Sequence, residues 1–338
     1  MIDVKIKKLH LKNTWTIARN SSDYKENIFI KIERNGITGF GEAAPNVRYG
    51  QTAELTIQKI KHAEKILDKH NWFQFAEIKE SLDNEIQDQS CAKAAIDMAI
   101  LDWVGKSLKT PLYEYWGLNP LLTPITSFSI GIDTPDILIK KIEQASEYPV
   151  LKIKVGKDNE KKIVEAVRRI TDKPLRIDAN EAWTAKEEAL EKILWMQEQN
   201  IEFIEQPMPS DMIDETAWLR ERIDIPIVAD ESVKTTNDIA KLAEAFDGIN
   251  IKLMKSGGLL EAKKMIEVAH SLGMKVMLGC MIESSLAITA AAHLSPCVEW
   301  ADLDGHLLIS NDPFAGVKVE NGRLILDDSP GLGINGDF

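Results

Sequence analysis

Five short apolar runs decide how this chain is read: VLKIKV (150–155), LRID (175–178), EFIE (202–205), IVAD (227–230) and INIK (249–252). Each is aliphatic and rich in β-branched residues, the pattern of a strand buried on both faces. Each also carries a charged residue at or near its end: Lys154, Asp178, Glu205, Asp230 and Lys252. These residues recur at intervals of between 22 and 27 positions. Amphipathic segments such as EEALEKILWMQEQN (187–200) and NDIAKLAEAF (237–246) fill the spaces between them. One strand, one helix and two loops need about that much chain. A repeated βα unit with charge at the C-terminal end of each strand is the layout of a barrel with its active site at that end.

Further runs extend the pattern outward. PITSFSIG (124–131) precedes the five as a first strand, while KVMLGC (275–280) and VEWADLD (298–304) follow as a seventh and an eighth. No clear long helix follows the last, so the expected fold is α/β, a modified TIM barrel of (β/α)7β type, spanning residues 121–312. Ahead of it lie three strand patterns (2–11, 27–33, 37–43) and three helical ones (52–69, 74–87, 90–107). They predict an N-terminal α+β capping domain over 1–120, with the tail 313–338 returning to it. Asn35-Gly36 marks a hairpin, since both residues tolerate positive φ. A polar loop is expected over about 13–26, with Trp15 and Arg19, and a second over 45–51, with Arg48 and Tyr49.

Composition sets the outer limits. The 338 residues are 44% hydrophobic and 28% charged, ordinary for a globular chain. A net charge of −12 argues against nucleic acid and anionic membranes as partners. The three cysteines (Cys91, Cys280, Cys297) are odd in number and lie in apolar settings, which disfavours a disulfide framework. The first residues lack the apolar core of a signal peptide, no run approaches the length of a membrane span, and a reducing cytoplasm is the expected location. The oligomeric state is left open, homo-oligomers included.

Strand number becomes direction around a ring. Asp178, Glu205 and Asp230 close the third, fourth and fifth strands and form one arc. Three converging carboxylates would raise one another's pKa values unless a cation sat between them, and hard oxygen ligands with open positions suit one Mg²⁺. The bland alternative is three separate helix caps. Lys154 and Lys252, on the second and sixth strands, face each other across the barrel mouth, and Lys152 shares a strand face with Lys154. Two opposed amines beside a metal suit proton exchange at a carbon next to a carboxylate. The cation and Lys152 would stabilise the enediolate, and nearby positive charge would lower the pKa values of the two lysines. Removing the proton on one face and returning it on the other inverts the stereocentre.

KIKVG (152–156), DANEAW (178–183), EQP (205–207), ADES (229–232) and NIKLMKSGG (250–258) resemble the enolase superfamily, and within it the muconate-lactonising subgroup. The resemblance covers nearly the whole chain. It implies Lys154 and Lys252 as acid/base catalysts, and Asp178, Glu205 and Asp230 as Mg²⁺ ligands. Asp302-Leu303-Asp304 on the eighth strand is similar to the D-x-D of the subgroup's dipeptide epimerases, where it binds the free N-terminus of the dipeptide. LGCMIESS (278–285), with Met281 and Ile282 as substrate contacts, resembles their seventh-strand segment. Arg19 matches the loop position that contacts a glutamate side chain in enzymes acting on Ala-Glu. The activity implied is epimerisation of the C-terminal residue of a small dipeptide, either Ala-Glu-like or Ala-hydrophobic. o-Succinylbenzoate synthase and N-acylamino acid racemase are the alternatives within the subgroup. A non-catalytic barrel binding small acids is the alternative from outside it.

Overall fold

The structure is a computed structural model, and it describes residues 1–16, 21–156, 159–336 and 338. Its larger sheet has eight parallel strands in sequence order: β4 (Phe128–Ile130), β5 (Leu151–Lys154), β6 (Leu175–Asp178), β7 (Ile201–Glu205), β8 (Ile227–Ala229), β9 (Gly248–Lys252), β10 (Lys275–Gly279) and β11 (Trp300–Asp302). The first and last meet at a parallel bridge between Thr126 and Ala301, where the Ser127 amide donates to the Ala301 carbonyl at 3.0 Å. That bridge closes the barrel. A helix follows each of the first seven strands, whereas the eighth leads only into a 3-10 turn at Gly305–Leu308. This is the (β/α)7β arrangement.

The front of the chain makes a three-stranded antiparallel sheet: β1 (Ile2–Thr16), β2 (Ser21–Arg34) and β3 (Ile37–Ala43). Helices α1 (Ala53–Lys69), α2 (Phe75–Glu85) and α3 (Ser90–Leu108) follow it. Asn35 and Gly36 turn the β2–β3 hairpin at φ 57° and 74°. Buried α3 lies directly on β3, and the approach depends on glycine: a Cβ at Gly41 would sit 1.9 Å from the Ala95 carbonyl oxygen. Where the sequence predicts a polar loop, the described residues are paired strand. Most of 13–26 is strand, with Trp15 paired to Ser22 and Thr16 to Ser21 beyond a register shift. Arg19 falls outside the described residues. The tail divides between two sites. Phe314 stacks on Phe29 at 5.6 Å, whereas the hairpin formed by Lys318–Glu320 and Arg323–Ile325 is bridged to Ile125, below the start of β4.

Several contacts tie the front domain to the barrel near the end of β9, among them two short hydrogen bonds. The Ser90 hydroxyl, which accepts from Gln51, donates to the Met254 carbonyl at 2.6 Å. Asp97 of α3 accepts from the Leu259 amide, at the start of a barrel helix, at 2.5 Å. Among the described residues no helix is long and apolar enough to cross a membrane.

Candidate active site

Register explains why the charged strand ends converge. Lys154 pairs across the sheet with Asp178, and Asp178 with Glu205, so the ends of β5, β6 and β7 lie at one level. Asp230 follows β8 directly, and Lys252 closes β9. Single oxygens of Asp178, Glu205 and Asp230 all lie within 4.8 Å of one another, and all three residues are buried. Asn250 donates to Glu205 Oε1 at 2.9 Å, the Gln206 side chain accepts from the Asp230 amide at 2.9 Å, and the Asn180 amide donates to Asp178 Oδ1 at 2.9 Å.

Cations sit beside this arc. Lys154 is bonded to Asp178 Oδ2, and Lys252 to Asp230 Oδ2 at 2.7 Å. Lys152, only 1% exposed, reaches Glu205 Oε2 at 2.6 Å, Asp302 Oδ2 at 2.7 Å and Asp178 Oδ2 at 3.2 Å. A fourth amine, Lys255, lies on the other side of Asp230, bonded to its Oδ1 at 2.6 Å.

The electrostatics follow from burial and crowding. Burial, then the charge of Asp178, pushes the Glu205 carboxyl up to about 8. Burial also opposes ionisation of Asp178, but the ammonium groups of Lys154 and Lys152 outweigh it and hold that carboxyl below its ordinary value. A crowded, dry set of hard oxygens of this kind is the chemistry that Mg²⁺ satisfies, so the residues present fit the ion. Lys252 differs from the expected lowering. Burial does lower it, but Asp230 and Glu205 outweigh burial and raise it above the ordinary lysine value.

Across the barrel mouth, Asp302 and Asp304 share a wall but not an environment. Asp302 accepts from Lys152 and, through Oδ1, from Ser127 at 2.7 Å and Ser129 at 3.0 Å. Burial opposes its ionisation, and the Lys152 charge more than compensates, so its carboxyl stays below the usual range. Asp304 accepts from the Ser129 amide at 2.5 Å, and burial together with the Asp302 charge pushes it upward. Met281 and Ile282 lie where the front domain meets the barrel. Asn46 reaches the Met281 sulfur at 3.7 Å, and the Ile282 carbonyl accepts from Asn27 at 3.0 Å.

The second front-domain loop reaches the same mouth. Arg48 pairs with Glu181 at 2.5 Å, and the Tyr49 hydroxyl is pushed upward by burial and by the charge of Asp230. Sequence reasoning assigned no part to Asn250, Gln206 or Lys255, although NIKLMKSGG contains two of them. Their signal was the fixed offset from strand ends already singled out.

Residues 1–117 match the mandelate racemase/muconate lactonizing enzyme N-terminal domain, and residues 138–337 match the enolase C-terminal domain-like family. The chain is 45% identical to an L-Ala-D/L-Glu epimerase of Bacteroides thetaiotaomicron, over 96% of this chain and 85% of the relative. It is 39% identical to an L-Ala-D/L-amino acid epimerase of Pedosphaera parvula, over 95% and 94%. In structure it is similar to a dipeptide epimerase of Enterococcus faecalis, complexed with Mg and the dipeptide L-Leu-L-Tyr. There the TM-score is 0.93 at 33% identity, covering 99% of this chain and 98% of the other.

Proposed function

The chain belongs to the mandelate racemase/muconate lactonizing enzyme family of the enolase superfamily, and on that premise we propose that it is a Mg²⁺-dependent dipeptide epimerase. The observation that carries this is the placement of two buried amines, Lys154 and Lys252, on strands four apart in a closed ring of eight. Each is tied to a different carboxylate of the arc.

Bound Mg²⁺, held by Asp178, Glu205 and Asp230, supplies the positive charge that makes the carbon next to a substrate carboxylate acidic. The lysine in its amine form takes the α-proton from one face, and the C–H electron pair moves toward the substrate carboxylate. Lys152 adds a fixed ammonium against that growing charge. The opposite lysine, protonated, returns a proton to the other face. The product is the epimer, with the two lysines having exchanged protonation states. Running the sequence from the other epimer reverses their roles.

Asp302 and Asp304 supply the anionic wall that a free ammonium group needs, and this favours a dipeptide over an N-acylated amino acid. o-Succinylbenzoate and N-acylamino acids carry no such group. A non-catalytic binding barrel would gain nothing from opposed lysines. The names of the relatives at 45% and 39% identity support L-alanine as the first residue. Arg19 is kept as a contact for an acidic second side chain, on the sequence expectation alone.

Incubating L-Ala-first dipeptides in D₂O with Mg²⁺ and following mass tests the reading. One deuterium should appear at the C-terminal residue's α-carbon, with loss of optical purity there. Exchange confined to N-acylated amino acids would overturn the dipeptide assignment. L-Ala-L-Glu against L-Ala-L-Leu reads the second residue.

A further inference from the structure

Lys255 is the buried amine that the proton transfers leave unused. It sits in a short helical turn, Leu253–Ser256, directly after β9, so it projects from three residues beyond Lys252. Its ammonium group makes three bonds: to Asp230 Oδ1 at 2.6 Å, to the Asp230 main-chain carbonyl at 2.6 Å and to the Asn250 carbonyl at 3.1 Å. Lys252 meanwhile takes Asp230 Oδ2. The two lysines therefore straddle one carboxylate. Lys255 grips both its side chain and its backbone, while Lys252 holds the other oxygen.

We propose that Lys255 is a positioning residue that fixes the rotation of the Asp230 carboxylate within the arc it forms with Asp178 and Glu205. This rests on Asp230 being a Mg²⁺ ligand. Two bonds from one ammonium to the same residue form a short ring that permits only a narrow range of side-chain torsion. A partner used merely to neutralise charge would not need the backbone carbonyl as well. The turn that carries Lys255 is itself fixed. Ser90 of the front domain bonds the Met254 carbonyl, and Gly257 and Gly258 leave the turn at φ 91° and 127°, conformations that glycine adopts freely.

Positioning and simple electrostatics predict opposite signs, which makes the idea testable. Removing a positive charge beside a cation site should tighten cation binding if charge is all that Lys255 contributes. Removing a group that orients a ligand should weaken it, typically by tenfold or more. The measurement is calorimetric titration of Mg²⁺ alone into the substrate-free protein, for wild type, Lys255→Met, Lys255→Gln and Asp230→Asn, each first checked for native circular dichroism. Lys255→Met should bind Mg²⁺ roughly tenfold or more weakly. Lys255→Gln keeps a hydrogen-bond donor without the charge, and should recover part of that loss. If the Met variant does not fold, the Gln variant alone decides, with a loss of about threefold or more expected. Binding in a folded Lys255 variant as tight as wild type, or tighter, overturns the positioning role. Should Asp230→Asn bind Mg²⁺ like wild type, the ligand assignment fails instead, and the two failures are distinct.

Discussion

The two ends of the barrel treat buried charge in opposite ways. Near the start of the strands, Arg176 of β6 pairs with Glu202 at 2.7 Å, donates to the Ala301 carbonyl at 2.6 Å and lies over the Phe203 ring. The Trp300 indole completes the set by donating to the other Glu202 oxygen at 3.0 Å. One cation meets one anion, and aromatic rings close around them. Two residues further along the same strand, Asp178 points into a cluster where several carboxylates and several amines share partners. The first arrangement is linked to the second through the Ser127 hydroxyl, which accepts from Arg176 at 3.4 Å and donates to Asp302. The second is poised to rearrange around a cation and a substrate. A buried ion pair with its hydrogen bonds satisfied resists change, and an over-connected cluster exchanges partners, which is what proton transfer requires.

Breaking each end should therefore produce different losses. Lys154→Ala or Lys252→Ala should lower kcat by roughly a thousandfold or more, the scale of a lost acid/base group, while the circular dichroism stays native. Single-turnover deuterium exchange would show whether one epimer still exchanges its α-proton. Near wild-type turnover in either variant would end the two-base scheme. Arg176→Met should do the reverse, costing about 2 kcal/mol of stability through the lost charge-assisted hydrogen bonds to half-buried Glu202 and the Ala301 carbonyl, while leaving kcat/KM nearly intact. Urea unfolding beside steady-state kinetics reads both quantities.

The anionic wall provides a smaller, sharper contrast. Asp302→Asn with Asp304→Asn should reduce kcat/KM for a free dipeptide about a hundredfold, since an unpaired buried charge costs a few kcal/mol. Acetylating the dipeptide's N-terminus should cause a comparable loss in the wild-type enzyme and a smaller one in the double variant.

The smallest effect concerns a buried group with no opposite charge beside it. His293 accepts from the Tyr113 amide at 3.0 Å and contacts the Leu332 carbonyl at 3.1 Å, and burial depresses it from 6.5 to about 4. It is neutral in the fold and charges first in the unfolded chain. Its contribution is thus present above about pH 6.5 and is lost as pH falls toward 4. Between pH 7 and 5.5 the stability difference between wild type and His293→Gln should narrow by about 1 kcal/mol. An unchanged difference would mean that the imidazole is solvated in the folded state.

Much of this was legible because both ends of the barrel obey the same period. Buried strands are written in β-branched residues, and a charge that interrupts them stands out, as Asp178 and Lys252 do. The polar stretch after His10 was misread for the complementary reason. β1 and β2 are largely exposed there, so no apolar alternation marks them. They are joined instead by polar pairs such as Thr14 with Asp23 at 2.6 Å. Lys255 carries only its offset from Lys252 as a signal, because it lies on a helical turn whose direction brings it back over Asp230. The splitting of Asp302 from Asp304 depends on Lys152 and on Ser127 and Ser129 at the start of the barrel, which nothing local in the eighth strand announces.

The closure of the barrel at Thr126 and Ala301 has a consequence for how such enzymes change their diet. Asp302 accepts from Ser129 of β4 and from Ser127 just before it while standing on β11, so the residue assigned to gripping the substrate also laces the seam of the barrel. Replacing it by an apolar residue to admit a new substrate would unlace that seam at the same stroke. Exchanges that retain an oxygen acceptor, such as asparagine, leave a path open. Asp304 also accepts across the seam, from the Ser129 amide, so drift in substrate preference is channelled away from both aspartates and toward the front-domain loop that carries Arg48 and Tyr49.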